Sequence, residues 1–273
     1  MINFEELANA LNPNPNQVLK VKPAPKAPTF KIPAKLLSKG NTNAKTAKNT
    51  LETYILYMSP ATQNSKGADL CPFRSAGCTA ACLYTAGRGK FNSVKNSRIN
   101  KADYFTQDRR TFTAQLALEL KAINKRMIKK GARAAIRLNG TTDIDHISSL
   151  RKLAGLDVFR LSNLVFYDYT KNPHVVARYH GTPYVLTFSR AEDNEPRALE
   201  ALNAGGLVSA VFMGELPKTY KGFKVIDGDQ SDDLMLTASK QAKRGAGIIL
   251  GLKAKGDAKK DRSGFVIDNT GKL

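Results

Sequence analysis

The sequence predicts an α/β fold: a partial (βα) barrel or an open parallel sheet of about six βα units, with an extended Pro/Lys-rich N-terminal arm. Three observations predict it. From Gly131 onward, short runs of β-branched and aromatic residues alternate with helical segments, the pattern of βα units. Those runs are continuously apolar, as strands covered on both faces are. Before residue 51 the chain is instead rich in Pro, Lys, Asn and Ala, and the repeated Pro blocks helix and sheet. The expected division is an extended basic arm over residues 1–50 and an α/β domain with a Cys-rich metal loop over residues 51–273.

In chain order, Phe4, Leu7 and Leu11 suit a short amphipathic helix at the start of the arm. Pro13, Pro15, Pro23, Pro25, Pro28 and Pro33 then hold the chain extended. Leu51–Met58 reads as the first strand, followed by a polar loop and the cysteine stretch. Helices are expected over Thr79–Ala86, Asn92–Thr106 and Arg109–Lys130. The last begins at an Asp108 cap and ends at Gly131, with Phe112, Leu116, Leu120, Ile123 and Met127 forming an apolar core stripe. Strands follow at Ala134–Leu138, Val158–Leu161, Val165–Thr170, Tyr184–Ser189, Val208–Met213, Lys224–Ile226, Ile248–Leu252 and Phe265–Ile267. Helices at Asp145–Ala154, Pro173–Tyr179, Asn194–Asn203 and Asp232–Lys243 lie between them, and Lys253–Arg262 reads as a basic loop.

The chain has three cysteines, all within Cys71-Pro-Phe-Arg-Ser-Ala-Gly-Cys78-Thr-Ala-Ala-Cys82. Thiols serving only as core filling would not cluster this way, and a disulfide would leave one over. A metal site is the better reading. On a helix, Cys78 and Cys82 project from one face, and Cys71 returns from the preceding loop. A structural zinc site ordinarily wants four protein ligands, often as paired Cys-x-x-Cys knuckles, and no such pair is present. Three thiolates suit a [4Fe–4S] cluster with one iron left open, so iron–sulfur leads and zinc stands as the alternative. His146, His174 and His180 lie far along the chain and read as ordinary surface or core residues.

Charge is the second outlier. There are 43 Lys and Arg against 23 Asp and Glu, a net charge of +20. Such an excess attracts polyanions, so nucleic acid or another polyanion is an expected partner. No apolar run approaches a membrane span and no signal pattern opens the chain, so a soluble protein of a reducing cytosol is expected. In open parallel sheets, ligands sit at the carboxyl ends of the strands. The residues there are Asn139, Gly140, Thr142 and Asp143, then Tyr167, Asp168, Tyr169 and Thr170, then Ser189 and Arg190, then Asp227 and Asp229. Asn139, Gly140, Asp143, Tyr167, Asp168, Ser189, Arg190, Asp227 and Asp229 are the candidate substrate- or cofactor-binding rim, although Asn-Gly and Asp-Gly-Asp also make plain turns. The cysteine loop also follows a strand, so it and the rim are expected to share one mouth. Lys95, Arg98, Arg137, Arg190, Lys253 and Lys255 are candidate anion contacts.

Cysteines on the loop after the first strand of a partial barrel resemble radical S-adenosylmethionine enzymes. That likeness implies a [4Fe–4S] cluster whose open iron binds S-adenosylmethionine. The spacing departs from that family: Cys-x6-Cys-x3-Cys here, against Cys-x3-Cys-x2-Cys. A closer resemblance is to a phage family, the "gene product eighty-eight" domain proteins. It rests on Cys71-Pro-Phe, Cys78 and Cys82-Leu-Tyr, with Arg137-Leu-Asn-Gly-Thr-Thr-Asp143, Phe166-Tyr-Asp-Tyr-Thr-Lys171 and Leu186-Thr-Phe-Ser-Arg190. Val225-Ile-Asp-Gly-Asp229, Gly251-Leu-Lys-Ala-Lys-Gly256 and Arg262-Ser-Gly-Phe-Val266 continue it. It implies a phage-encoded protein acting in the cytoplasm of the infected bacterium, and no settled activity. Two functions are therefore carried forward. One is an iron–sulfur enzyme, radical-type or using its open iron as a Lewis acid, acting on a nucleotide or nucleic acid. The other is a non-enzymatic, metal-stapled (iron–sulfur or zinc) basic protein that binds nucleic acid or serves phage assembly.

Overall fold

The computed structural model describes residues 30–42, 45–82, 84 and 87–269. Ten strands form one mixed, mostly parallel sheet that stays open, so the barrel alternative is not realised. The strands are β1 (Leu37–Lys39), β2 (Glu52–Leu56), β3 (Ala134–Arg137), β4 (Leu164–Thr170), β5 (Val185–Ser189), β6 (Leu207–Met213), β7 (Thr219–Tyr220), β8 (Phe223–Asp227), β9 (Ile248–Lys253) and β10 (Val266–Asp268). Across the sheet the order is β1-β2-β3-β4-β5-β6-β9-β8-β7. The outer pairs β1/β2 and β7/β8 are antiparallel and cap the two edges. Strand β5 pairs with Leu207–Ser209 of β6, and β10 takes over along Val211–Met213.

The α-helices among the described residues are α1 (Ala76–Ala80), α2 (Asn92–Gln107), α3 (Arg109–Lys130), α4 (His146–Ala154), α5 (Pro173–Arg178), α6 (Glu195–Asn203) and α7 (Asp233–Gln241). Crossovers between parallel strands are right-handed, so the direction of each step decides which face its helix covers. From β2 to β6 every step runs the same way. Accordingly α3, α4 and α5 pack on Tyr54, Leu56, Ile136 and Phe166, and α6 packs on Phe188, Val208, Ala210 and Phe212. The step from β8 to β9 runs backwards, and α7 crosses to the opposite face. There Met235 and Ala238 meet Ala135, Tyr167, Leu207, Ile248 and Leu250.

Helix α3 follows its sequence pattern. Asp108 accepts a hydrogen bond from Thr111 N at 3.1 Å, and Gly131 closes the helix in the left-handed region. Phe112, Leu116, Leu120, Ile123 and Met127 are buried, each worth roughly 1.5–3 kcal/mol on removal from water.

Three expected elements differ. The cysteine helix begins at Ala76, because Ser75 caps it by accepting from Cys78 N at 3.0 Å, and it ends at Ala80, so Cys82 lies beyond it instead of sharing a helical face with Cys78. The expected strand Val158–Leu161 is a 3-10 turn, Val158–Arg160, started by Asp157 accepting from Phe159 N. The expected basic loop contains the 3-10 turn Gly256–Lys260.

The expected arm falls in two parts. Residues 1–29, including the expected helix at Phe4, Leu7 and Leu11, lie outside the described residues. The described residues between 30 and 50 join the fold. Phe30 stacks on Tyr104, Leu36 N and Leu37 N donate to the Glu119 carboxylate at 2.7 and 2.9 Å, and β1 pairs with β2. No described helix is long and apolar enough to cross a membrane.

Candidate functional site

The carboxyl ends of β2, β3, β4 and β5 open on one cleft with a cavity volume of about 180 Å³. Cys71, Cys78 and Cys82 line it, together with Asn139–Asp143, Tyr169–Lys171, Ser189, Arg74 and Arg137. All three cysteines are free thiols, each partly exposed.

The cysteine loop is tied down from several sides. Leu70 N donates to Ala61 O at 3.0 Å, and Asp143 N donates to Leu70 O at 2.9 Å, which fastens the loop to the end of β3. Asp69 accepts from Cys71 N at 2.9 Å and pairs with Arg74. Glu192, on the loop after β5, accepts from Ser75 Oγ at 2.7 Å and from Gly77 N at 2.6 Å. Gly77 is a glycine for a steric reason. A Cβ there would lie 2.1 Å from Ser263 Oγ and 2.6 Å from Phe265 Cβ.

Burial is the dominant influence on two of the thiols. Burial pushes the Cys71 thiol up to about 12, although Ala61 N donates to its sulfur at 3.4 Å and draws it back in part. Burial also raises Cys82, opposed by the Tyr84 backbone and the charges of Lys171 and Arg98. Arg98 lies between the rings of Tyr57 and Tyr84, 5.0 and 5.4 Å from their centroids. Among the described residues, no three His, Cys, Asp or Glu side chains stand together closely enough to hold a single metal ion.

The predicted rim divides. Asn139, Gly140, Asp143 and Ser189 line the cleft with the cysteines. Asn139 folds the β3–α4 loop: its Oδ1 accepts from Thr142 Oγ1 at 3.0 Å and from Ile144 N at 2.9 Å. Gly140 is pressed so close to Tyr57 and Ile55 that a Cβ would come within 2.7 Å of each. Asp143 accepts from Thr170 Oγ1 at 2.7 Å and from Lys171 N at 2.9 Å, joining β4 to the same wall. Burial raises its pKa.

The other five predicted rim residues lie away from the cleft wall. Tyr167 is buried under α7 and donates to Asp232 Oδ2 at 2.8 Å. Asp168 is buried behind the wall, accepting from Leu138 N, Asn139 N and Tyr184 Oη at 2.9–3.0 Å. Burial lifts its carboxyl to about 7 against the pull of Arg137 and those donors. Arg190 pairs with Glu195 at 2.6 Å and donates to the carbonyl of Phe265 at 3.0 Å. Asp227 caps its own turn by accepting from Asp229 N at 2.9 Å. Asp229 accepts from Lys253 N at 2.9 Å and pairs with Lys255 at 2.7 Å. Of the anion candidates, Lys253 pairs with Glu215, and Arg137 alone lines the cleft.

Two charged cleft residues, Arg74 and Lys171, have no place in the sequence-derived set. Lys171 follows directly on the Tyr169-Thr170 pair at the end of β4, so the carboxyl-end rule reaches it when carried one residue further. His146 is buried against Phe105 and Phe112 and does not line the cleft, in keeping with its reading as a core residue.

A family model described as Gene product 88 matches residues 35–269. No curated protein and no solved structure matches the chain. The resemblance to radical S-adenosylmethionine enzymes therefore gains no support from these comparisons. The match takes in the cleft, the cysteine loop and the whole sheet, leaving out only the first 34 residues and the last four, so the chain belongs to the phage Gene product 88 family.

Proposed function

We propose that Cys71, Cys78 and Cys82 hold a [4Fe–4S] cluster and that the cleft they line is the active site of an enzyme acting on a nucleotide or nucleic acid in the infected bacterial cell. The observation that carries this reading is the convergence of all three thiols on the cleft formed by four strand ends. The donor set fits: three soft sulfurs, unpaired with one another, on one cleft. A single tetrahedral zinc would draw its sulfurs to within about 3.8 Å of one another, as bond lengths near 2.3 Å require. The described residues offer no group of three such donors placed for one metal ion. When bound, a three-cysteine cluster presents one iron that no cysteine occupies.

The chain's own residues account for the remainder. Glu192 and Ser75 fix the cysteine helix. Asn139 and Asp143 set the shape of the opposite wall, and Arg137 and Lys171 place positive charge where a phosphate-bearing substrate would enter. The net charge of +20 favours a polyanionic partner. It equally supports a second reading, a metal-stapled protein that binds nucleic acid without turnover.

Anaerobic purification with iron and sulfide analysis tests the first reading. About four of each per chain are expected, falling to background when all three cysteines are replaced by serine. A colourless protein holding zinc, or iron unchanged in the triple variant, rejects it. A spectrum perturbed by S-adenosylmethionine would identify that molecule as the ligand of the open iron. Turnover of a bound nucleotide separates the enzyme from the binding protein, which would show only salt-dependent association.

A further inference from the structure

Arg137 closes β3 on the face that carries α7, and its side chain is four-fifths buried at the cleft floor. Its guanidinium lies 4.8 Å from the centroid of the Tyr169 ring. Two carboxylates stand behind it: Asp168 Oδ1 lies 3.6 Å from Nε and Asp232 Oδ2 lies 3.9 Å from Nη1. Both separations exceed a hydrogen bond.

Those carboxylates are engaged elsewhere. Asp168 is taken by two backbone N–H groups and the Tyr184 hydroxyl. Asp232 is taken by Lys45 Nζ at 2.6 Å and the Tyr167 hydroxyl at 2.8 Å. Arg137 itself makes one hydrogen bond, from Nε to the Asn139 carbonyl at 3.3 Å. Among the described residues its Nη1 and Nη2 have no acceptor at hydrogen-bond distance.

A largely buried guanidinium, braced by a ring and two carboxylates yet with its forked end unpaired, is costly unless something in the cleft accepts from it. A second cation faces the same space. The Lys171 ammonium lies 5.6 Å from the Phe265 ring centroid and has no carboxylate partner among the described residues.

We infer that the Arg137 fork, assisted by Lys171, is a binding subsite for the oxyanion of a small-molecule ligand, either a phosphate or a carboxylate. Planar guanidinium and oxyanion pair through two parallel hydrogen bonds, a geometry that a point charge cannot supply. The inference rests on the reading above in taking this cleft as the place where ligand binds; it does not require the cluster.

The test is calorimetric titration of the purified chain with inorganic phosphate and, separately, with succinate, ionic strength held constant with chloride. Saturable binding of one is expected, and which one binds tells phosphate from carboxylate. Arg137→Gln should weaken it by about ten- to a hundred-fold, the effect of removing a charge-assisted pair. Lys255→Gln, a cation outside the cleft, should leave it unchanged. Should Arg137→Gln fail to fold by circular dichroism, Arg137→Lys carries the test, because it keeps the charge and loses the fork. Saturation by neither anion overturns the inference, as does wild-type affinity in the folded Arg137 variant or an equal loss in Lys255→Gln. Iron content is measured on the same samples. Anion binding without iron rejects the cluster reading alone, and iron without anion binding rejects this inference alone.

Discussion

Replacing Gly77 by alanine sets helix propensity against packing, and the structure says which wins. Gly77 lies inside α1, one residue before Cys78, and its backbone is not in the left-handed region. On propensity alone, alanine would stabilise the helix by about 1 kcal/mol. Against that, the new Cβ would lie 2.1 Å from Ser263 Oγ, 2.6 Å from Phe265 Cβ and 2.9 Å from Glu192 Oε1. Overpacking of this kind costs about 1–3 kcal/mol. Pushing the Glu192 carboxylate aside also weakens its bonds to Gly77 N and Ser75 Oγ, each worth about 1.5–3 kcal/mol as a bond to a charged group. The expected net destabilisation is about 2–5 kcal/mol, read from urea denaturation followed by circular dichroism. Adding Ser263→Ala removes the worst contact and leaves Phe265 Cβ in place, so it should recover less than half of the loss. A Gly77→Ala chain as stable as the parent would refute the claim that the segment around Ser263 and the loop at Glu192 clamp the cysteine helix.

Two further predictions concern pH, with opposite signs. Burial holds the His146 imidazole at about 3. The unfolded chain therefore binds the extra proton first, and stability is full above about 6.5 and lost as pH falls toward 3, at up to about 1.4 kcal/mol per unit. His146→Phe should flatten that acid limb, and melting curves between pH 4 and 7 that kept the parent's slope would count against it. Asp168 is raised to about 7 by burial, so its contribution is full below the ordinary carboxylate range and is lost as pH rises through about 7. Asp168→Asn should remove that neutral-side slope. It should also cost about 1–3 kcal/mol at pH 5, because an amide offers one acceptor oxygen where the carboxyl group presents two to Leu138 N, Asn139 N and Tyr184 Oη. An Asn variant that melted with the parent at every pH would show that the carboxylate is not the hub of these bonds.

The elements that the sequence makes plain are those whose side chains alternate with a single period. Helix α3 announces itself through Asp108, five apolar residues at helical spacing and Gly131. Strands β2 to β6 announce themselves through apolar runs that two faces of helix demand. Strand β1 does not. Leu37-Ser-Lys39 looks like more of a Pro/Lys tract, and what makes it a strand is β2 alongside and Glu119, eighty-two residues on from Leu37. The start of α1 was legible in principle, since Ser75 is a strong cap three residues before Cys78.

The rim was legible only in part. A strand's side chains alternate, so Tyr167 and Asp168 cannot both face the mouth, and each turns out to serve the wall behind it. Asp227 and Asp229 fail for another reason. Strand β8 lies beyond β6 and β9, so its carboxyl end opens at the far side of a wide, unclosed sheet from the cysteine loop.

The backward step from β8 to β9 has a consequence for the chemistry as well as the shape. It sends α7 to the face on which Arg137, Tyr167 and Tyr169 project, and so delivers Asp232, one residue before that helix, beneath the cleft. Left alone, a buried carboxylate there would capture the guanidinium outright. It does not, because Lys45 reaches it first at 2.6 Å, and Lys45 is itself held by the Tyr169 hydroxyl at 2.9 Å. A residue from the basic segment before β2 thus neutralises the acid that α7 brings in. That leaves Arg137 braced by two carboxylates that do not hydrogen-bond its fork, which faces the space the three thiols line.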